Sequence, residues 1–331
     1  MKAEDGKLVY GSCFYQADER PRIFCTSTFC LWYALNLRRP RRIILPPERK
    51  FMENRNIADL IKAAGFRFNK ALGQNFIFDT NLLDAIVTDS GVTEDDTVVE
   101  VGTGAGTLTS RLALRAKKVY SFEVDKNLQS ILSLSLQGID NVEVIFRDVL
   151  KTSDEELKEI IGQGSFRVVA NLPYYITTPL IMRFIESGLD VTSLTVMVQK
   201  EVADRLRAEC GSADYSAITL AVRMFGDVEV TRIVNRNMFR PAPNVDSAVV
   251  RIDKVPDRLA GENIAAIKKL VRAAFAMRRK TLANNLQSAF GISKADGAKI
   301  LENAGFAPMV RGEALSLEDY VRLSHEIEKS R

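Results

Sequence analysis

Residues 97–101, Thr-Val-Val-Glu-Val, run directly into Gly102-Thr103-Gly104-Ala105-Gly106, and a helical pattern from Thr107 to Ala116 follows without a spacer. A buried strand, a glycine turn and a helix in immediate succession constrain a chain strongly, because they open a β-α-β crossover. Crossovers of this kind build parallel sheets covered by helices on both faces. The alternation then continues. Lys118 to Phe122 reads as a second strand ending at Glu123, and Val142 to Phe146 as a third ending near Asp148. Val168-Val169-Ala170 is a further apolar run, stopped by Asn171 and Pro173, and Val245 to Ile252 reads as a final strand. Upstream, Ile57, Leu60, Ile61 and Ala64 have helical spacing that Gly65 ends; residues 66–76 read as a loop, and Asn81 to Ser90 as a helix closed by Gly91. The pattern predicts an α/β fold with a doubly wound, mostly parallel sheet.

The glycine turn does not match a dinucleotide fingerprint. Its spacing is GxGxG, and Thr107 stands one residue beyond the last glycine. Glycines still let a ligand approach the backbone closely, with or without a phosphate. Glu123 falls about twenty residues on, where a carboxylate accepts from ribose hydroxyls. Asp148, at the next strand end, is suited to accept from an adenine amino group. Each acid alone reads as a solvated strand end. Together, at consecutive strand ends, they describe an adenosine-shaped cleft that fits S-adenosylmethionine better than a nicotinamide dinucleotide.

Asn171-Leu172-Pro173-Tyr174 follows the buried run at the sheet edge where ligands of open α/β folds bind. The Asn171 amide donates and accepts, Pro173 has a carbonyl but no N–H, and Tyr174 adds an aromatic face. Two acceptors beside a flat ring suit the exocyclic amino group of adenine. By itself the string is an ordinary proline-stopped turn; its agreement with the other motifs favours a functional reading.

The net charge of +4 is unevenly spread. Ten Lys/Arg and five Asp/Glu lie in residues 1–51, so residues 52–331 hold 36 basic against 37 acidic side chains. A nucleic-acid surface must therefore be local. Three of the four cysteines, Cys13, Cys25 and Cys30, lie in the first 51 residues, without metal-ligand spacing, and the single histidine, His325, sits in a charged helical tail. No metal site and no histidine-based catalysis are expected. The apolar stretch from Ile23 to Leu37 is too short to span a bilayer and too far from the start for a signal peptide. Residues 1–51 are expected to be a disordered arm or to precede a natural start at Met52, because Glu48-Arg49-Lys50 is encodable by a purine-rich stretch like a bacterial ribosome-binding site.

Five segments occur together: Gly73-Gln74-Asn75-Phe76, residues 100–106, Glu123-Val124-Asp125, Asn171-Leu172-Pro173-Tyr174, and residues 239–250, which begin Phe239-Arg240-Pro241. In this order they resemble the rRNA adenine N6,N6-dimethyltransferases, over about residues 52–331. The resemblance implies a Rossmann-like class I methyltransferase domain at 52–255 and a small C-terminal all-α domain at 256–331. It implies S-adenosylmethionine as cofactor, small-subunit rRNA in an assembling subunit as partner, a cytoplasmic monomer, and dimethylation of two adjacent adenines near the rRNA 3′ end. By the same resemblance, Asn75, Ile77, Gly102, Gly104, Glu123 and Asp148 bind the cofactor. Asn171 bridges cofactor and target, the Pro173 carbonyl accepts from the target amino group, and Tyr174 and Phe239 sandwich the target base. Ile77 stands where the family usually has Leu.

The segment from Asn263 to Phe290 contains Lys268, Lys269, Arg272, Arg278, Arg279 and Lys280 and no acid, which marks it as the expected RNA surface. Alternatives remain: a 23S rRNA methylase of the macrolide-resistance type, which shares the first motifs, or a ribosome-assembly factor whose methylation is incidental. The intact Asn171–Tyr174 string favours retained catalysis, and the basic segment favours the small subunit.

Overall fold

The computed structural model describes residues 74–330, together with Ile57 and three short N-terminal strands, β1 (Ala3–Glu4), β2 (Lys7–Tyr10) and β3 (Cys13–Tyr15). The chain divides into two units, Met1–Glu53 and Asn54–Arg331. In the first, the three strands pair antiparallel in the order β1-β2-β3. The expected start at Met52, the helix over 57–64 beyond Ile57, and the loop over 66–73 lie outside the described residues.

The second unit is built on a seven-stranded sheet. Its strands are β5 (Thr97–Val101), β6 (Lys118–Phe122), β7 (Val142–Ile145), β8 (Phe166–Asn171), β9 (Val191–Gln199), β10 (Gly226–Val234) and β12 (Ser247–Lys254), in the order β10-β12-β9-β8-β5-β6-β7. The five strands β5–β9 are mutually parallel, and β12 and β10 add antiparallel at one end. A two-residue strand, β4 (Phe76–Ile77), begins at the last residue of the expected loop and pairs with β11 (Phe239–Arg240). Two motifs far apart in sequence are thereby joined.

The helices are α1 (Thr80–Asp89), α2 (Thr107–Ala113), α3 (Gln129–Ser135), α4 (Asp154–Ile161), α5 (Tyr174–Ile185), α6 (Lys200–Leu206), α7 (Ala217–Phe225), α8 (Ile264–Ala276), α9 (Leu282–Phe290), α10 (Lys294–Asn303) and α11 (Leu317–Lys329). Central strands are apolar on both faces. Val99, Val168 and Leu194 enter one core with Leu180 of α5, while Val98, Val169 and Met197 enter another with Leu83 of α1 and Leu112 of α2. Period-two alternation sends neighbouring valines to opposite layers, as a doubly wound sheet requires.

A third core lies among α8–α11, with Ile267, Leu270, Leu286, Leu301 and Leu323 buried. It also takes in Ala208, Tyr215 and Leu220. The helical core thus reaches across the expected boundary at residue 256, because α7 lays its apolar side against α8.

The sheet has one topological switch point that matters for function. From β5 the chain proceeds outward through β6 and β7, then returns to set β8 on the opposite side of β5. Adjacent strands leave in opposite directions there, which opens a crevice at their carboxyl ends. Val101 pairs with Ala170, so the glycine turn and Asn171 leave the sheet side by side.

Candidate active site

That crevice is an open cleft of about 880 Å³, bounded by Gln74–Phe76, the glycine turn, Glu123, Asp148 and residues 171–173. Gly102, Gly104 and Gly106 all have positive φ, at 83°, 56° and 81°. A Cβ on Gly102 would lie 2.5 Å from Leu172 Cδ2, and one on Gly104 would lie 2.9 Å from the Phe76 ring. Both positions therefore require glycine for conformation and for close approach.

Glu123 ends β6 and is nearly buried. Its Oε1 accepts from the backbone N–H groups of Val124 and Asp125, and its Oε2 from that of Gly104, each at 2.8 Å. Burial raises its pKa above the ordinary glutamate value, opposed by those three backbone donors. Three of roughly four acceptor positions are in use. That leaves one acceptor position for a ligand in the cleft. Asp148 caps a short turn, accepting from Leu150 N at 3.1 Å, and lies 3.4 Å from Lys151 Nζ.

Asn171 is half-buried, lines the cleft, and its side-chain amide makes no hydrogen bond among the described residues. Its amide is not among the described side-chain atoms sealed from solvent without a partner, so it stays open to a ligand that enters the cleft. The expected second acceptor is different. Pro173 O accepts from Ile176 N at 3.2 Å and Thr177 Oγ1 at 3.4 Å, because Pro173 is the N-cap of α5. Leu172 O, one residue earlier, accepts nothing among the described residues and is the unengaged carbonyl of the motif.

Three further positions differ from expectation. Ile77 is fully buried beneath the β4–β11 pair, and it is Phe76 that lines the cleft. Adjacent residues of a strand point to opposite faces, so only one of the two can do so. Phe239 is 3% exposed, packs with Ile77, Val234 and Val249, and is not among the residues that line the cleft. Tyr174 is half-buried, with its hydroxyl 2.7 Å from Ser247 Oγ; its neighbour Tyr175, 65% exposed, borders the cleft. Asn75 lines the cleft. Phe76 and Tyr175 carried no assigned role in sequence, although both sit inside quoted or adjoining motifs.

The basic segment is more engaged than its composition suggests. Lys268 and Arg272 both approach Glu186, at 3.9 and 2.8 Å. Lys269 lies 4.8 Å from the Phe290 ring centre. Arg278 donates to the carbonyls of Ala213 and Tyr215 and to Glu313. Arg279 and Lys280 are exposed, with no ion pair among the described residues. His325, expected to be solvated, meets Glu262 at 2.5 Å.

A doubly wound sheet with a glycine turn, an acid after the second strand and an unpartnered amide at the switch point defines an α/β methyltransferase. The donor set fits S-adenosylmethionine: no Cβ obstructs the turn, one buried carboxylate lines the cleft, and no cradle for a pyrophosphate is required. Comparison with known proteins carries the assignment further. The family model for ribosomal RNA adenine dimethylase matches residues 65–329, and the chain belongs to that family. It is an rRNA adenine dimethyltransferase that uses S-adenosylmethionine.

Curated relatives include the ribosomal RNA small subunit methyltransferase A of Clostridioides difficile, 42% identical over 273 residues, covering 81% of this chain and 94% of that protein. The protein of the same name from Enterococcus faecalis is 43% identical over 279 residues, covering 82% and 95%. Among solved structures, a dimethyladenosine transferase from Plasmodium falciparum superposes with a TM-score of 0.67 at 27% identity, covering 77% of this chain and 98% of that one. A 23S rRNA methyltransferase gives 0.59 at 26% identity, covering 77% and 100%. Among the described residues, no helix is long and apolar enough to cross a membrane.

Proposed function

We propose that the protein dimethylates N6 of two adjacent adenines near the 3′ end of small-subunit rRNA, on an assembling subunit, as a cytoplasmic monomer. The observation that carries the chemistry is the half-buried Asn171 amide, without a partner among the described residues, beside the unengaged carbonyl of Leu172. S-adenosylmethionine supplies an activated methyl group, so the chain needs neither a nucleophile nor a metal to generate one.

The remaining difficulty is the target nitrogen, whose lone pair is delocalised into the purine. The Asn171 side-chain oxygen and Leu172 O accept its two hydrogens and favour a pyramidal nitrogen, with its lone pair aimed at the methyl. Glu123 orients the ribose and Asp148 the cofactor adenine. This is catalysis by orientation and electrostatics. The target base leaves its stack to reach the cleft, and the Tyr174 ring offsets part of that cost. Phe239 acts from below, holding the β4–β11 strap in register.

The small-subunit reading is supported by relatives of about 42% identity that cover over four-fifths of the chain. The 23S reading draws on a structural likeness at 26% identity. Radiolabelled methyl transfer onto immature small subunits and onto bare large-subunit rRNA separates them. Label in small-subunit rRNA, recovered as dimethyladenosine, is the expected result; label confined to the large-subunit RNA overturns the proposal.

A further inference from the structure

Glu100 stands on β5, two residues before the glycine turn that borders the cleft, and has no role in the chemistry above. It is fully buried in β5. Its Oε2 accepts from Ser121 Oγ at 2.6 Å, and Ser121 is in turn 2.6 Å from Thr103 Oγ1, within the glycine turn. Its other oxygen, Oε1, is buried without a conventional partner, and so is Thr109 Oγ1 of α2, the hydroxyl that acts on this carboxyl.

The charged groups around Glu100 do not explain an ionised carboxylate. On β6 the nearest is Glu123, which is itself acidic and repels it. On α2, Arg111 is committed to Asp84. On β8 the paired residue is Val169. A buried carboxylate with no cation and one unpartnered oxygen is strongly disfavoured, and the group takes up a proton instead. Burial pushes its pKa up to about 8, against the opposing effect of the Ser121 and Thr109 hydroxyls. The Thr109 hydroxyl can donate to a carboxylate or accept from a carboxylic acid, so it serves either state, and the absence of a cation decides for the neutral one.

We propose that Glu100 is a neutral carboxylic acid that donates from Oε1 to Thr109 and accepts from Ser121, and that it is a positioning residue for the cofactor. Hydrogen bonds run along Thr103–Ser121–Glu100, and the proposed donation from Oε1 extends that chain to Thr109 and so ties the glycine turn to the first turns of α2. Loss of the proton puts an uncompensated charge beneath the turn and loosens the surface on which the cofactor lies. The inference rests on the cleft being the S-adenosylmethionine site.

The test is the affinity of the intact protein for S-adenosylhomocysteine across pH, by calorimetry, in wild type and Glu100→Gln. The ligand's own amino group titrates in this range, so the difference between the two profiles is the readout. A group with a pKa of about 8 that must be protonated lowers affinity roughly tenfold between pH 7 and pH 9. Wild type should show that additional fall and Glu100→Gln should not, because an amide both accepts from Ser121 and donates to Thr109 at every pH. Superimposable profiles overturn the proposal. No binding by wild type at pH 7 overturns the cofactor-site reading instead. Should the variant not fold, infrared titration of wild type decides: a carboxylic-acid carbonyl band present at pH 7 and lost by pH 9 is expected, and its absence at pH 7 contradicts the proposal.

Discussion

The cleft at the β5–β8 switch point and the basic segment at the end of α8 were both marked in sequence by clustered residue types, yet the fold treats them differently. At the cleft, residues 102, 123, 148 and 171 converge because each stands at the carboxyl end of a parallel strand. Topology alone brings consecutive strand ends together, so a linear pattern of motifs translates into a site. In the basic segment, the absence of acids holds only along the chain. Glu186 of the α5 C-cap and Glu313 come from elsewhere and engage Lys268, Arg272 and Arg278. Strand-end patterns survive folding; local charge counts do not.

Removing the amide at the cleft should give the largest effect. Asn171→Ala takes away an acceptor that matters most as the target nitrogen pyramidalises. Loss of one preorganised donor or acceptor at a transition state costs about 10²–10³ in rate. Single-turnover methylation at saturating RNA and cofactor should fall by that order, while RNA affinity changes little. A near-normal rate would reduce Asn171 to a turn-former and erase the contrast between the regions.

A smaller effect is expected at Glu123. Glu123→Ala removes a charged acceptor for ribose and frees three backbone N–H groups, including that of Gly104. Hydrogen bonds to charged groups contribute about 1.5–3 kcal/mol, so calorimetric affinity for S-adenosylmethionine should drop by about one to two orders of magnitude. Glu123→Gln should fall between wild type and Ala, since it keeps an acceptor without the charge.

The smallest effects belong to the basic segment, and they should divide. Arg279→Ala with Lys280→Ala should weaken RNA binding and lower the slope of affinity against salt by roughly two counterions, with the melting temperature unchanged. Arg278→Ala should instead lower the melting temperature, because its guanidinium holds the carbonyls of Ala213 and Tyr215. If all three behave alike in the salt titration, Arg278 contacts RNA after all and the contrast weakens.

Much of the cleft was legible because its geometry follows from strand order. Strands β5–β8, the glycine turn and the acids at their ends needed only hydrophobic pattern and spacing, whereas β9 and β10 were not read from the sequence. What was not legible depended on contacts between distant segments. That Pro173 O is consumed and Leu172 O is not follows from how α5 begins. That Phe239 and Ile77 are buried follows from the pairing of β11 with β4, 162 residues apart in the register of Phe239 with Ile77. The participation of Tyr215 in the helical core follows from α7 packing on α8. None of these is encoded within a local window.

The central claim is that the switch-point cleft, and not the basic helical segment, holds the methyl donor. Ultraviolet crosslinking of radiolabelled S-adenosylmethionine to the intact protein, followed by peptide mapping, tests it most directly, because the exposed ring of Tyr175 borders the cleft and Phe76 lines it. Label is predicted in the peptide spanning residues 171–176 or the one spanning 74–76, and unlabelled S-adenosylhomocysteine should compete it away. Competable label confined to residues 263–290 would contradict the account.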